Sequence, residues 1–159
     1  MRCVRFVKSM SLLAIVSLFP YNVMALACQQ IEKQPVTITG RVYCLDKNGK
    51  RLSEEQDCQP SSVMFELLAN DGRSFPLLSD DLLATIFTEA RVRKMELQIS
   101  GLLHHDKQLE LVKILALKGG KLFDIFYYCQ VCKITAYGPG PCPCCYAPLE
   151  FIEKPANDK

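Results

Sequence analysis

The sequence predicts a mainly β protein with a little helix: a small five-stranded domain followed by a compact cysteine-rich tail. Three observations lead there. Five short strand-like runs lie between residues 36 and 118, one helix-like run separates the third from the fourth, and five cysteines crowd into residues 129–145. Alternation of apolar and polar residues with period two marks a strand with one buried face, and a 3.6-residue period marks a helix.

The chain opens with the pattern of a secretion signal. Arg2, Arg5 and Lys8 give a positive start, Ser11–Phe19 a short apolar run, and Ala25-Leu26-Ala27 the small residues of a cleavage site. The apolar run is shorter than the roughly 20 residues needed to span a bilayer. The alternative is an anchored or buried N-terminal helix. Cleavage after residue 27 leaves 132 residues, enough for one modest core. It also removes three of the 19 basic residues and no acid, so the remaining chain carries 16 against 17 acidic residues, a net charge of −1. A near-neutral chain lacks the basic excess that draws phosphate backbones, which argues against nucleic-acid binding. No later stretch is long and apolar enough to span a membrane as a helix.

Residues 28–35 read as a linker ending at Pro35. Val36, Ile38, Gly40, Val42 and Cys44 then alternate as a first strand. Residues 45–61 are polar, contain Asn48-Gly49 and Pro60, and form a long loop. Val63–Leu68 is a second strand, Asn70-Asp71-Gly72 a hairpin turn, and Ser74–Leu78 a third strand that Pro76 confines to an edge. A helix is predicted over 79–94. Ser79 caps it, Asp80 and Asp81 suit its N-terminus, and Leu82, Leu83, Ile86, Phe87 and Ala90 share a face, with Arg91, Arg93 and Lys94 at its C-terminal end. Met95–Leu103 alternates as a fourth strand, His104–Lys107 turns, Leu109–Leu117 is a fifth strand, and Gly119-Gly120 breaks it before a short sixth run, Leu122–Tyr128.

Three strands, a helix and two strands is the element order of an OB-fold, a five-stranded Greek-key barrel, and the resemblance covers residues 36–118. It rests on element order, and such barrels carry unrelated functions, so it implies a fold and no activity. The rival is another small α+β sandwich.

The tail, residues 122–150, carries the chemistry. Cys129-x2-Cys132 and Cys142-x2-Cys145 are paired thiols nine residues apart, with Gly138-Pro139-Gly140-Pro141 between them. Each pair presents two sulfurs from one tight turn, and two such turns make a tetrahedral four-sulfur site suited to zinc or another thiophilic ion. So short a segment buries little apolar surface and needs a metal or cross-links to hold it. The tail resembles a zinc ribbon or knuckle. It also resembles the short heavy-metal-binding domain of bacterial metal-handling proteins, whose Pro-Gly-x-Cys-Pro-x-Cys-x-x-x-Leu run is matched by Pro139, Gly140, Cys142, Pro143, Cys145 and Leu149. That family has Cys-x-x-His where this chain has Cys129-x-x-Cys132, and Gly-Met where this chain has Tyr146-Ala147. The alternatives are local disulfides, a redox-active Cys-x-x-Cys, and covalent haem. The redox motif belongs at a helix start, whereas Cys129 follows an extended aromatic run. Haem attachment takes His where this chain has Lys133.

Four further cysteines need accounting. Cys144 is left over from the ligand count, either an idle thiol or a substitute ligand. Cys44 and Cys58 flank the polar loop, either bridged or reduced. Cys28 follows the cleavage site and would be the lipid anchor of a lipoprotein, although Ala25 stands where a lipobox has Leu. His104 and His105 are the only histidines and belong to an exposed turn. No phosphate-binding loop, serine-nucleophile elbow or paired-His helix is present. The expectation is an exported protein, periplasmic or secreted, non-enzymatic, serving as a binding or adaptor module with a structural metal site. Its partners would be the metal ion and another envelope protein, and residues 151–159 would be a flexible end. The alternatives are a thiol-redox or electron-transfer protein and a disulfide-stapled scaffold.

Overall fold

The computed structural model describes residues 33–53, 58, 64–78 and 81–156. The signal segment, Cys28, Ser79 and Asp80 lie outside the described residues. The described chain is mainly β: β1 (Gln34–Leu45), β2 (Met64–Ala69), β3 (Ser74–Pro76), β4 (Leu97–Leu103), β5 (Leu109–Lys118), β6 (Lys121–Tyr128), β7 (Thr135–Ala136) and β8 (Glu150–Pro155). All pair antiparallel in one sheet of order β3-β2-β1-β4-β5-β6-β7, with β8 on β6. Among the described residues, no helix is long and apolar enough to cross a membrane.

The first strand serves two neighbours in turn. Residues 34–40 pair with β4 and residues 40–45 with β2, so Gly40 faces both Leu97 and Ala69. A Cβ on Gly40 would stand 2.1 Å from the Leu68 carbonyl oxygen. Glycine is required here by close backbone approach, which no side-chain rotation relieves. Gly40→Ala is expected to cost about 2–3 kcal/mol, the upper range for forced overpacking. A chemical-denaturation midpoint unchanged from the wild type would contradict that.

A bulge sets the inward face of β5. Ser100 pairs with Lys113 but Gly101 with Leu111, leaving Val112 extra and largely exposed. A bulge of one residue reverses the alternation beyond it. Leu109 and Leu111 before the bulge, and Ile114 and Ala116 after it, therefore all join the core with Ile38, Val42 and Leu67. Asp81 fastens this place to the helical segment. One carboxylate oxygen accepts from the Leu83 N–H at 2.9 Å and the other from the Leu111 N–H at 2.7 Å.

The predicted helix over 79–94 is corrected. A 3-10 helix, Leu82–Thr88, is followed by a single α turn, α1 (Ala90–Arg93), with Glu89 extended between them. The break lets both pieces bury apolar residues: Ala84, Ile86 and Phe87 from the first and Val92 from the second. It leaves carbonyls without helical donors, and Arg93 supplies them. The residue is 3 % exposed, and its guanidinium donates to Phe87 O at 2.7 Å and Thr88 O at 2.9 Å. In sequence Arg93 reads only as one of three basic residues suited to the C-terminal end of a helix.

Three other expectations need correction. The strand path is open, where a barrel calls for a closed ring. The third strand has only three residues, and Pro76 brings no N–H to a further ladder. The β3 end of the path approaches the interior strand β5 through a single parallel bridge, Leu77 to Leu109, and a 3.1 Å bond from Leu78 N–H to Leu109 O. Residues 34 and 35, read as linker, already belong to β1. Residues 151–155, read as part of a flexible end, belong to β8, which pairs with β6 from Phe123↔Pro155 to Tyr128↔Glu150. Residues 157–159 lie outside the described residues.

The polar loop after β1 is closed by a Cys44–Cys58 disulfide, with both cysteines 2 % exposed in the core. At the other end of the sheet, Gly119 and Gly120 have φ of 55° and 75° between the paired Lys118 and Lys121. That is a two-residue hairpin whose twist suits both strands. It turns β5 directly into β6, and β6 delivers the chain to Cys129.

Candidate metal centre

The cysteine tail is built from one turn used twice. Paired Tyr128 and Thr135 frame residues 129–134, and bridged Pro141 and Pro148 frame residues 142–147. In each six-residue loop the first cysteine's N–H donates to the carbonyl five residues on: Cys129 to Ile134 at 3.0 Å and Cys142 to Ala147 at 2.8 Å. In each, the residue after the second cysteine donates back to the first cysteine's carbonyl: Lys133 to Cys129 at 2.8 Å and Tyr146 to Cys142 at 2.9 Å. That residue has positive φ in both, 57° at Lys133 and 58° at Tyr146. Neither is glycine, so each turn carries about 1–2 kcal/mol of backbone strain. Strain of this kind persists where surrounding structure fixes it.

The two turns face each other. The sulfurs of Cys129, Cys132, Cys142 and Cys145 all lie within 4.8 Å of one another, a group able to hold a metal ion. Cys129 and Cys145, from different turns, are 3.5 Å apart. With Zn–S of about 2.3 Å, the sulfurs of a tetrahedral site stand about 3.8 Å apart, inside the observed spread. The donor set fits a soft or borderline cation. The first cysteine of each pair is fully buried and the second half-buried, so the cluster has a closed side and an open side.

Backbone amides point at the sulfurs. Cys132 N–H donates to Cys129 Sγ at 3.4 Å. The N–H of Cys145, aided against burial by that of Cys144, holds the Cys142 thiol down at about 7. Amide donors of this kind favour thiolate, the form that binds metal. The Cys144 thiol, followed by that of Cys145, pushes the Cys132 thiol above its ordinary range. Cys144 itself is exposed and lies outside the four-sulfur group.

The structure thus brings together the four cysteines singled out in sequence. The histidines stay apart from them. His104 Nε2 stands 2.9 Å from Glu110, which also pairs with Lys33, and His105 is exposed. Sequence reasoning missed the link between this tail and the helical segment. Tyr127, 3 % exposed and two residues before Cys129, donates to Glu89 at 2.9 Å. Arg91 stands 3.3 Å from Glu89 and 4.6 Å over the Phe151 ring, and Phe151 packs edge-on to Tyr127. The residue types are ordinary, and only the pairing of β8 with β6 assembles them, so no local signal existed. Arg91, with Tyr127 as a second donor, holds the Glu89 carboxyl below its ordinary 4.5. A depressed carboxylate stabilises above its unfolded pKa, and the contribution is lost as pH falls through the folded value. Tyr127→Phe should cost about 1.5–3 kcal/mol, as for a hydrogen bond to a charged group. Glu89→Gln should flatten the loss of stability below pH 4.5. Urea titrations at pH 7 and at stepped acidic pH check both; an acid profile unchanged in Glu89→Gln would refute the assignment.

Compared with protein-family models, curated proteins and solved structures, the chain matches none.

Proposed function

We propose that this is an exported, non-enzymatic binding or adaptor protein in which Cys129, Cys132, Cys142 and Cys145 hold one structural zinc, or another thiophilic ion. The observation that carries the reading is the pair of equivalent turns with their four sulfurs within 4.8 Å. Two strained turns of identical hydrogen bonding suit a shared tetrahedral ion better than an accidental cluster. The ion would join the end of β6 to the segment that leads into β8, and so hold β8 on the β6 edge. The Cys44–Cys58 disulfide favours an oxidising compartment, in keeping with the signal-like start of the chain. An OB-like strand arrangement, left open and not closed into a barrel, is the finer reading of the fold that we propose, supported by the order β3-β2-β1-β4-β5 and the Leu77–Leu109 bridge.

Metal analysis and thiol counting on protein purified from its export compartment test this. One zinc per chain with four protected thiols is the expected result. The 3.5 Å approach of Cys129 and Cys145 favours one rival, a disulfide scaffold. That reading requires no metal and a bridge between those two residues in a peptide map.

A further inference from the structure

The equivalence of the two turns isolates one residue. Position for position, Cys129 corresponds to Cys142, Cys132 to Cys145 and Lys133 to Tyr146, so Cys144 corresponds to Val131. Both Val131 and Cys144 are exposed at the tips of their loops. One turn therefore offers two sulfurs and the other three, and the fifth, exposed, has its thiol against that of the half-buried Cys132.

Resting on the reading above, we propose that Cys144 is an exchange thiol, through which the centre takes up and surrenders a thiophilic ion to thiol-bearing or chelating acceptors. Exchange at a filled four-sulfur site is slow when an incoming ligand must first displace a buried one. Cys144 offers a resident incoming ligand. Its sulfur bonds to the ion as the bond from Cys132 breaks, and its proton passes to the departing Cys132 sulfur. Four thiolates remain on the ion, no electron moves and no charge is gained. The ion is then held partly by an exposed sulfur, where an external thiolate or chelator displaces Cys144 in the same way. Cys129 and Cys142, both fully buried, are the last to let go.

The test uses the full exported chain loaded with zinc and the chromogenic chelator 4-(2-pyridylazo)resorcinol. Cys144→Ser should still hold one zinc, with an equilibrium competition constant within about threefold of wild type, while its transfer rate falls about tenfold. A Cys144→Ser transfer rate equal to the wild type overturns the proposal. A loss of affinity of about a hundredfold or more also overturns it, because Cys144 would then be a permanent ligand. Val131→Cys added to Cys144→Ser places a thiol at the equivalent tip and should restore the rate; failure to restore it refutes the positional argument. A wild-type chain that binds no zinc removes the metal reading itself and this inference with it.

Discussion

Cys132→Ser and Cys145→Ser are each expected to abolish tight zinc binding and to open the chain from residue 129 through β8 to protease. Apparent binding energies at four-cysteine zinc sites are about 10 kcal/mol or more, far above what the tail's own contacts supply. Those contacts are few. Beyond the two turns the segment has a two-residue β7 and a single Pro141–Pro148 bridge, and Val131, Tyr137 and Tyr146 are exposed. Once a ligand is lost, the left-handed backbone at Lys133 and Tyr146 has only the turns' own hydrogen bonds to hold it. The damage should spread further than a self-contained tail implies, because residues 150–155 are a strand whose approach to β6 runs through Cys145. The remaining strands should persist. Limited proteolysis with mass mapping, run with and without chelator, reads this directly. If chelator left the tail protected and reductant released it, the cluster would be a disulfide knot. If Cys144→Ser were as damaging as Cys145→Ser, the four ligands would be wrongly chosen.

The parts legible in sequence are those set by local periodicity and by spacing. The alternation from Val36 to Cys44 gave a strand, Asn70-Asp71-Gly72 a turn, and two Cys-x2-Cys pairs a sulfur cluster, because each signal is complete within a few residues. The bulge at Val112 was legible too, as a break from apolar 109 and 111 to apolar 114 and 116, but the run was read as one uninterrupted strand. The helical segment misled because its apolar residues satisfy a helical period equally well as one helix or as two short turns. What separates them is Arg93, whose buried bonds to Phe87 and Thr88 carbonyls depend on the tertiary path. The last strand was illegible for a related reason. Glu150–Pro155 shows little alternation, and it is a strand because β6 presents an edge to it. Cys44 and Cys58 left pairing open because two cysteines flanking a loop are compatible with either state until the fold brings them together.

Converting Cys44 and Cys58 together to alanine is expected to remove about 4 kcal/mol of stability: about 3 from the freed loop in the unfolded chain and about 1 from lost packing of two buried sulfurs. The cross-link spans 14 positions, and the start of the loop it closes is also held by the Leu45–Arg51 bridge and by Leu52 against the core. Cys44 pairs with Phe65 across to β2, so the loss falls on the half of the sheet away from the metal centre. The two classes of cysteine should therefore respond to opposite reagents. Reductant alone should lower the unfolding midpoint while one zinc stays bound, because the zinc-held thiolates contain no bond to reduce. Chelator alone should release the tail while Cys44–Cys58 stays closed. Denaturant titration of the wild type and the double alanine variant, each with and without reductant, separates these effects. The variant should be insensitive to reductant and should match the reduced wild type to within the packing difference. A double alanine variant as stable as the oxidised wild type would mean that the bridge does not form in the folded protein. Loss of zinc from the wild type on mild reduction would mean that a disulfide elsewhere holds the centre together.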